Sequence, residues 1–174
     1  MGVSRGESRA VEETIGYLLA KVCRAHRAHA GGVLAVLGLH VGQEMVLLEL
    51  WKEDGLRGGD LAERLGVEPP TITRMLRRME GCGFVERRPD PADARSFRVY
   101  LTERGRSLEV PVARCWEEVE EKTFARLSSK EKVLLRRLLS RVRENLKEEA
   151  GERIQGTGDH LAGQKKKIQK EKRR

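Results

Sequence analysis

The segment Leu61–Gly105 limits the possible folds more than any other part of this 174-residue chain. Four of its apolar residues recur at i, i+3, i+4 and i+7, the spacing of one stripe on an α-helix: Ile72, Met75, Leu76 and Met79. Pro69-Pro70 suits the first turn of a helix, where a missing N–H costs nothing, and Gly81 and Gly83 suit its end. The pattern therefore predicts a helix with one face packed against a core.

The opposite face of this helix is short, polar and cationic. At 100° per residue, that face and its flank carry six residues: Pro70, Thr71, Thr73, Arg74, Arg77 and Arg78. Arginines reach guanine edges or phosphates in a major groove, and threonines reach phosphates or thymine methyl groups. The face fits a DNA recognition helix, although an ordinary surface helix with solvated arginines has the same composition.

The flanking segments favour DNA binding because they complete a winged helix-turn-helix. A short helix is predicted over residues 59–66, followed by a turn at residues 66–68. Residues 84–88 and 97–101 read as two strands, and the segment 89–96 between them is rich in turn formers. Near this tip Asp93 precedes Arg95 by two residues. A carboxylate this close can hold the arginine side chain in one rotamer, which suits insertion into a narrow minor groove. The alternative is a solvated surface ion pair that contributes little to stability.

The run from Asp60 to Gly105 resembles the MarR family of bacterial transcription regulators. Three motifs carry the resemblance: PPTITR at the start of the recognition helix, GFVERR before the wing, and the D-x-R tip followed by LTERG. It covers roughly residues 10–146 and implies a homodimer on a palindromic operator in double-stranded DNA, with wing arginines in the minor groove and release by a small-molecule effector. Glu68 and His40 stand where family members often have Ser or Thr, which puts two helix caps in doubt.

Together, the residue pattern and the resemblance predict these DNA contacts: Pro70, Thr71, Thr73, Arg74, Arg77, Arg78, Asp93, Arg95, Ser96 and Arg98. By the resemblance alone, an effector site is expected near His26, His29, Met45 and Trp51. His26 and His29 lie three residues apart without a matching downstream pair, so a metal site is not expected.

The expected fold is mostly α with a small β wing. Its parts are a flexible N-terminus (1–9), a first dimerisation helix and connector (10–38), the winged helix-turn-helix (39–104), dimerisation helices (105–147) and a basic, disordered tail (148–174). The first helix should run from Ala10 to Ala30 and end at Gly31-Gly32. A second should span residues 41–53. A third, capped by Thr102, should run to Leu127 with a kink at Pro111, and residues 128–131 read as a capping box.

The first and last helices carry apolar faces that the small domain cannot bury by itself. The predicted dimer contacts are Ile15, Leu18, Val22, Leu134, Leu135, Leu138, Leu139 and Val142. Packing of the last helix on the wing domain is the alternative. We favour the dimer because no core remains for that helix to complete.

Half of the formal net charge of +8 is concentrated at the C-terminal end of the chain. Residues 147–174 hold nine Lys or Arg against five Asp or Glu, which is half of the total charge. This tail could add sequence-independent affinity for DNA or serve only solubility, and a nonspecific architectural DNA binder is a third hypothesis for the whole chain.

The sequence contains no catalytic motif, so neither an enzyme nor a cofactor is expected. The three cysteines form no C-x-x-C pair, and no segment reads as a signal peptide or a bilayer span, which points to the cytoplasm and no membrane partner. A redox or metal sensor on the same scaffold is the second hypothesis. Cys23 is expected to be buried and inert, whereas Cys82 lies at the end of the recognition helix.

Overall fold

The computed structural model describes residues 5–146, without the side chains of residues 5–8, 94 and 95. The helices are α1 (Arg5–Glu12), α2 (Ile15–Leu34), a 3₁₀ turn (Ala35–Leu37), α3 (Gln43–Lys52), α4 (Gly58–Leu65), α5 (Pro69–Gly81), α6 (Glu103–Ser107) and α7 (Glu109–Thr123). Residues 129–146, called α8 below, are also helical. The strands are β1 (Leu56–Arg57), β2 (Val85–Asp90) and β3 (Asp93–Leu101). The chain divides into two compact units, Met1–Thr123 and Phe124–Arg174. The basic tail lies outside the described residues.

The mostly helical fold with a small β wing is confirmed. Three antiparallel strands form one sheet in the order β1-β3-β2. The predicted eight-residue wing tip is wrong, because pairing continues to Asp90 opposite Asp93 and leaves a two-residue turn. The Asp90 side chain stabilises this turn by accepting a hydrogen bond from the N–H of Ala92 at 2.9 Å.

The core of the first unit is built from aliphatic side chains of α3, α4, α5 and the sheet, with Phe84. Ile72, Leu76 and Met79 are buried, which confirms the predicted stripe of the recognition helix, and Met75 is half-buried. Of the two faces considered for α3, the structure buries the one with Val46. Burying these side chains is the main stabilising contribution to the wing domain.

The predicted end of the first helix at Gly31-Gly32 is wrong. Helix α2 continues to Leu34 because both glycines adopt ordinary helical conformations, and the turn that ends the segment instead uses Gly38 at φ +72°. At the other end, Thr14 caps α2 by accepting a hydrogen bond from the N–H of Tyr17 at 3.1 Å. The helical segment before this cap, α1, covers part of the predicted loose N-terminus.

The helix predicted over residues 103–127 is divided at Leu108 rather than kinked at Pro111. Proline lacks the N–H that would bond to the carbonyl of Ser107, so the interruption falls one turn before it. The capping role of Thr102 is confirmed, because its Oγ1 accepts a hydrogen bond from the N–H of Gly105 at 3.0 Å. The second part, α7, ends at Thr123.

The capping box before α8 is confirmed. The N–H of Ser128 donates to Glu131 Oε2 at 2.8 Å, and the N–H of Glu131 donates to Ser128 Oγ at 3.4 Å. The doubtful caps at Glu68 and His40 are absent: Glu68 precedes α5 without a side-chain cap bond, and α3 begins after Gly42 instead. None of the helices in the described part of the chain has the length and apolarity to cross a membrane.

Two polar side chains are buried where α3 begins. Gln43 Oε1 accepts a hydrogen bond from the N–H of His40 at 2.9 Å, and Glu44 Oε2 accepts one from the N–H of Gly42 at 2.7 Å. Only 2% of Glu44 is exposed. Burial raises the pKa of its carboxyl above the usual value, and the backbone hydrogen bonds offset only part of that effect.

We expect Glu44→Gln to flatten the pH dependence of stability. Because the pKa of Glu44 is raised on folding, stability falls as the pH rises from the unfolded pKa through the folded one. Glutamine keeps an acceptor for Gly42 and does not titrate. Urea unfolding at pH 5 and pH 8 should therefore show a smaller difference in the variant than in the wild type. Glu63→Gln, on the exposed side of α4, is the control, and equal pH profiles in all three proteins would contradict the prediction.

Candidate nucleic-acid interface

The recognition helix α5 presents the predicted polar face to solvent. Pro70, Arg74, Arg77 and Arg78 are exposed, and Thr71 and Thr73 are half-buried. Within the described residues, none of the three arginines forms an ion pair. Thr73 Oγ1 donates to the carbonyl of Pro69 at 2.8 Å, which fixes the side chain in the first turn. The face is therefore cationic, and its guanidinium groups are available to an anionic partner.

The turn before α5 requires glycine. Gly66 ends α4 at φ +61°, a left-handed conformation that other residues adopt only at a cost. The N–H of the following Val67 donates to the carbonyl of Ala62 at 3.0 Å, which closes the helix end. This geometry confirms the predicted helix-turn-helix and sets where α5 begins relative to α4.

The outer end of the wing is held by Asp90, which the sequence indicated only as one of the turn formers of segment 89–96. Its buried carboxylate accepts hydrogen bonds from Arg57 Nε at 2.8 Å and from Arg98 Nε at 3.1 Å. The N–H of Ala92, and then the Arg57 guanidinium, hold the pKa of Asp90 below its usual value. Arg57 lies 33 residues before Asp90 and Arg98 lies eight residues after it, so no sequence spacing indicated this cluster.

This cluster also changes the interpretation of Arg98, which was predicted to contact DNA. Besides Asp90, its Nη1 donates to the carbonyl of Gly55 at 3.0 Å. The guanidinium thus joins β2 and β3 to the residue that precedes β1. These bonds hold two of the three guanidinium nitrogens against the protein, so the structure favours a role in holding the wing.

The wing is tied to the recognition helix through Arg87. Its Nε donates to Glu80 Oε2 at 2.9 Å near the end of α5, and its guanidinium carbon lies 5.1 Å from the centroid of the Phe97 ring. The hydrogen bond from Arg87 holds the pKa of Glu80 below its usual value. On the same strand, Arg88 pairs with Glu86 and lies 4.7 Å from the Tyr100 ring centroid.

The predicted contact between Asp93 and Arg95 remains a prediction. Both residues lie in β3 beside the wing tip, and Asp93 is exposed, but the Arg95 side chain lies outside the described part of the chain. Ser96, the third predicted wing contact, donates from Oγ to the carbonyl of Asp93 at 3.1 Å.

The four residues predicted for an effector site line two separate grooves. Met45 and Trp51 line a groove between α3 and α7, which we call the α3–α7 groove. His26 and His29 line a smaller one beside Lys122. The His26 and Trp116 rings lie 6.1 Å apart between their centroids, so the two grooves are neighbours. Within the described residues, no group of three or more His, Cys, Asp or Glu side chains could hold a metal ion.

The expectation that Cys23 is buried is wrong, because α2 leaves this thiol exposed. Cys82 is also exposed and caps the end of α5. Cys115 is the buried cysteine, and burial raises the pKa of its thiol. The apolar neighbours of Cys23 in the sequence indicated burial, but Val22 is exposed and Leu19 is only half-buried in this chain.

The residues predicted for dimerisation leave apolar side chains uncovered in both units. On α2, Ile15, Leu18 and Val22 are exposed by 85%, 61% and 50%. On α8, four predicted residues are exposed and Leu135 is half-buried. The four exposed residues are Leu134, Leu138, Leu139 and Val142. Such faces are typical of surfaces that a partner covers.

A cationic recognition helix beside a three-stranded wing defines this chain as a winged helix-turn-helix DNA-binding protein. Residues 39–97 match the MarR family model. The chain is 40% identical over 86 residues to the HTH-type transcriptional regulator TtmR of Methylorubrum extorquens, an alignment that covers 47% of this chain and 44% of that protein. It is 29% identical to the HTH-type transcriptional repressor Rv2887 of Mycobacterium tuberculosis, covering 74% and 92%.

Comparison of the fold with solved structures also points to the MarR family. The structure of a mutant MarR from E. coli, complexed with operator DNA, superposes with a TM-score of 0.69 at 26% identity and covers 74% of this chain and 92% of that one. The chain belongs to the MarR family. It is a MarR-type transcription regulator and not an enzyme.

Proposed function

We propose that this chain is a homodimeric repressor that binds a palindromic operator and is released by a small-molecule effector. The observation that carries the proposal is the exposed face of α5, where Arg74, Arg77 and Arg78 have no ion pair within the described residues, next to a wing held by Asp90. Rv2887 is named a repressor, and a MarR structure contains operator DNA, which supports the same role here.

In the proposed complex, α5 enters the major groove. Arg74 and Arg77 contact guanine edges or phosphates, and Thr71 contacts the backbone near the start of the helix. Pro70, Thr73 and Arg78 lie along the same edge. The wing tip, with Arg95 and its neighbours Asp93 and Ser96, follows the adjacent minor groove. Arg98 supports the wing from within the sheet.

The exposed apolar faces of α2 and α8 support a dimer. Two copies related by a two-fold axis present two recognition helices, and their half-sites lie about one helical turn, or about 10 bp, apart. An effector then acts by shifting the population between dimer shapes that differ in the spacing of the recognition helices. The α3–α7 groove is the proposed effector site.

A redox-sensing regulator is the second candidate function, and the exposed thiol of Cys82 at the end of α5 favours it. Oxidation at this position would act directly on the element that reads DNA. Release of operator DNA by peroxide in the wild type, but not in Cys82→Ser, would support this candidate over a sensor of organic ligands.

The proposed operator binding is tested by fluorescence anisotropy on the DNA upstream of the gene and on a scrambled duplex, across a salt series. We expect a preference for the first duplex that persists as salt rises, and its persistence after deletion of residues 151–174. Equal binding to both duplexes that disappears with that deletion would instead support the nonspecific, tail-driven binder.

Arg74→Ala combined with Arg77→Ala should abolish the preference, since each good base contact contributes about 1–3 kcal/mol of discrimination and a dimer loses both pairs. Arg114→Ala on α7, another exposed arginine, is the matched control and should bind the operator normally. An undiminished preference in the double variant would remove α5 from the proposed interface.

A further inference from the structure

The α3–α7 groove is a large concave surface of the first unit, with a volume of about 760 Å³. Its floor consists of apolar side chains from two helices that pack together. They are Met45, Leu48, Trp51, Val112, Ala113 and Trp116. Drug-sized ligands occupy concave sites of this size and apolar character.

Both tryptophans of the chain lie in this groove. Trp51 is fixed in place, because its Nε1 donates to the carbonyl of Gly105 at 3.2 Å. Trp116 lies half-buried on α7 and contacts the His26 ring. Indole faces attract cations through the negative potential above the ring, and Trp is the strongest of the aromatic residues in this respect. The floor thus suits an apolar molecule that carries a positive charge.

The rim of the groove is acidic although the chain as a whole is basic. Glu109, Glu117 and Glu120 line it from α7, where their spacing places them on the same side of the helix as Ala113 and Trp116. All three are exposed, and within residues 9–123 none of them forms an ion pair. The single basic lining residue, Lys52, is neutralised by Glu49 at 2.8 Å. The rim therefore carries an uncompensated negative charge.

We propose that the α3–α7 groove binds a lipophilic cation, meaning an aromatic or polycyclic molecule with a quaternary ammonium, phosphonium or similar charge. The apolar body fills the space between the two indoles, and the charge is stabilised by the ring faces and by the three rim carboxylates. The same carboxylates repel aromatic acids, so the groove discriminates by sign of charge. The expectation that such a ligand releases DNA rests on the proposed function. The proposed binding of the cation in the groove does not depend on it.

The test uses tetraphenylphosphonium and tetraphenylborate, two ions of the same shape and opposite charge. Isothermal titration of the full-length protein without DNA should give saturable binding of the phosphonium and at least about tenfold weaker binding of the borate. Because both tryptophans line the groove, phosphonium binding should also quench the intrinsic indole fluorescence with the same midpoint. Equal affinity for the two ions, or no saturable phosphonium binding, would overturn the proposal.

Variants then locate the charge. Glu117→Gln combined with Glu120→Gln should weaken phosphonium binding about fivefold or more and should not weaken borate binding. The matched control is Glu118→Gln, which removes a carboxylate on the same helix that pairs with Lys122 and does not line the groove. Equal losses in the control would show a nonspecific effect of charge and would contradict the assignment.

Two further measurements separate the possible occupants of the groove. If the basic tail fills it, deletion of residues 151–174 is required before the phosphonium binds, and this result would overturn the proposal for the intact chain. If a second copy fills it, phosphonium affinity falls as the protein dimerises, and this result would overturn the proposal as well. Anisotropy with operator DNA is a separate readout: phosphonium binding without DNA release would leave the site intact and contradict only its proposed regulatory role.

Discussion

Replacing Gly105 with alanine is expected to lower the free energy of unfolding by about 3 kcal/mol or more, among the larger effects of a single substitution. An added Cβ would lie 2.0 Å from the carbonyl oxygen of Phe84, a contact that the backbone cannot tolerate. That oxygen accepts the N–H of Thr102, so moving it breaks the junction between β3 and α6. Glycine is required here because there is no room for a Cβ atom beside the Phe84 carbonyl, and not because of an unusual backbone angle.

Urea unfolding followed by tryptophan fluorescence measures this effect, at one protein concentration because an oligomer's stability depends on it. Trp51 is a direct reporter, since its indole donates to the carbonyl of Gly105. Gly32→Ala is the control: no atom lies within 4 Å of the position that its Cβ would take, and alanine inside a helix is better than glycine by about 0.5–1 kcal/mol. Similar losses in both variants would contradict the steric explanation.

Leu138→Glu is expected to convert the proposed dimer into monomers and to reduce affinity for the proposed operator by at least about a hundredfold. The side chain is 45% exposed in a single chain and lies in the middle of the apolar face of α8. A carboxylate placed there must lose its hydration when two copies associate, which costs several kcal/mol for an unpaired charge. Affinity then falls because two linked half-site contacts bind about 10²–10⁴ times more tightly than one.

Sedimentation velocity gives the oligomeric state and anisotropy gives the affinity. Ser140→Glu introduces the same charge on the opposite side of the same helix, two residues along, and should remain dimeric. Circular dichroism of both variants checks that the helix content is unchanged. A dimer of Leu138→Glu with normal operator affinity would place the interface on another surface.

The sequence predicted the DNA-binding unit well because its signals are local. The stripe of α5, the glycine turn at Gly66 and the capping role of Thr102 each depend on residues within one or two turns of chain. Ser128 and Glu131 form a capping box for the same reason. These elements are largely determined by their own residues, so sequence reasoning finds them before any tertiary contact is known.

Sequence reasoning did not find the features that depend on distant partners. Asp90 contacts Arg57 and Arg98 only after the sheet forms, so no short segment of the sequence indicates this cluster. The pair Gly31-Gly32 predicts a helix end, although packing of α2 on α7 allows the helix to continue through both glycines. The residues of the predicted effector site were divided between two grooves for a similar reason: closeness in sequence does not specify which helix faces which.

The ion pair between Glu80 and Arg87 has a consequence for the choice of DNA. Because it joins the end of α5 to β2, it couples the elements that we propose for the major and the minor groove. Inserting one base pair between the half-sites should therefore misalign helix and wing together, whereas a base change under the wing alone should cost only a local contact. A change in the spacing of the half-sites would then reduce operator affinity more than a single base change would.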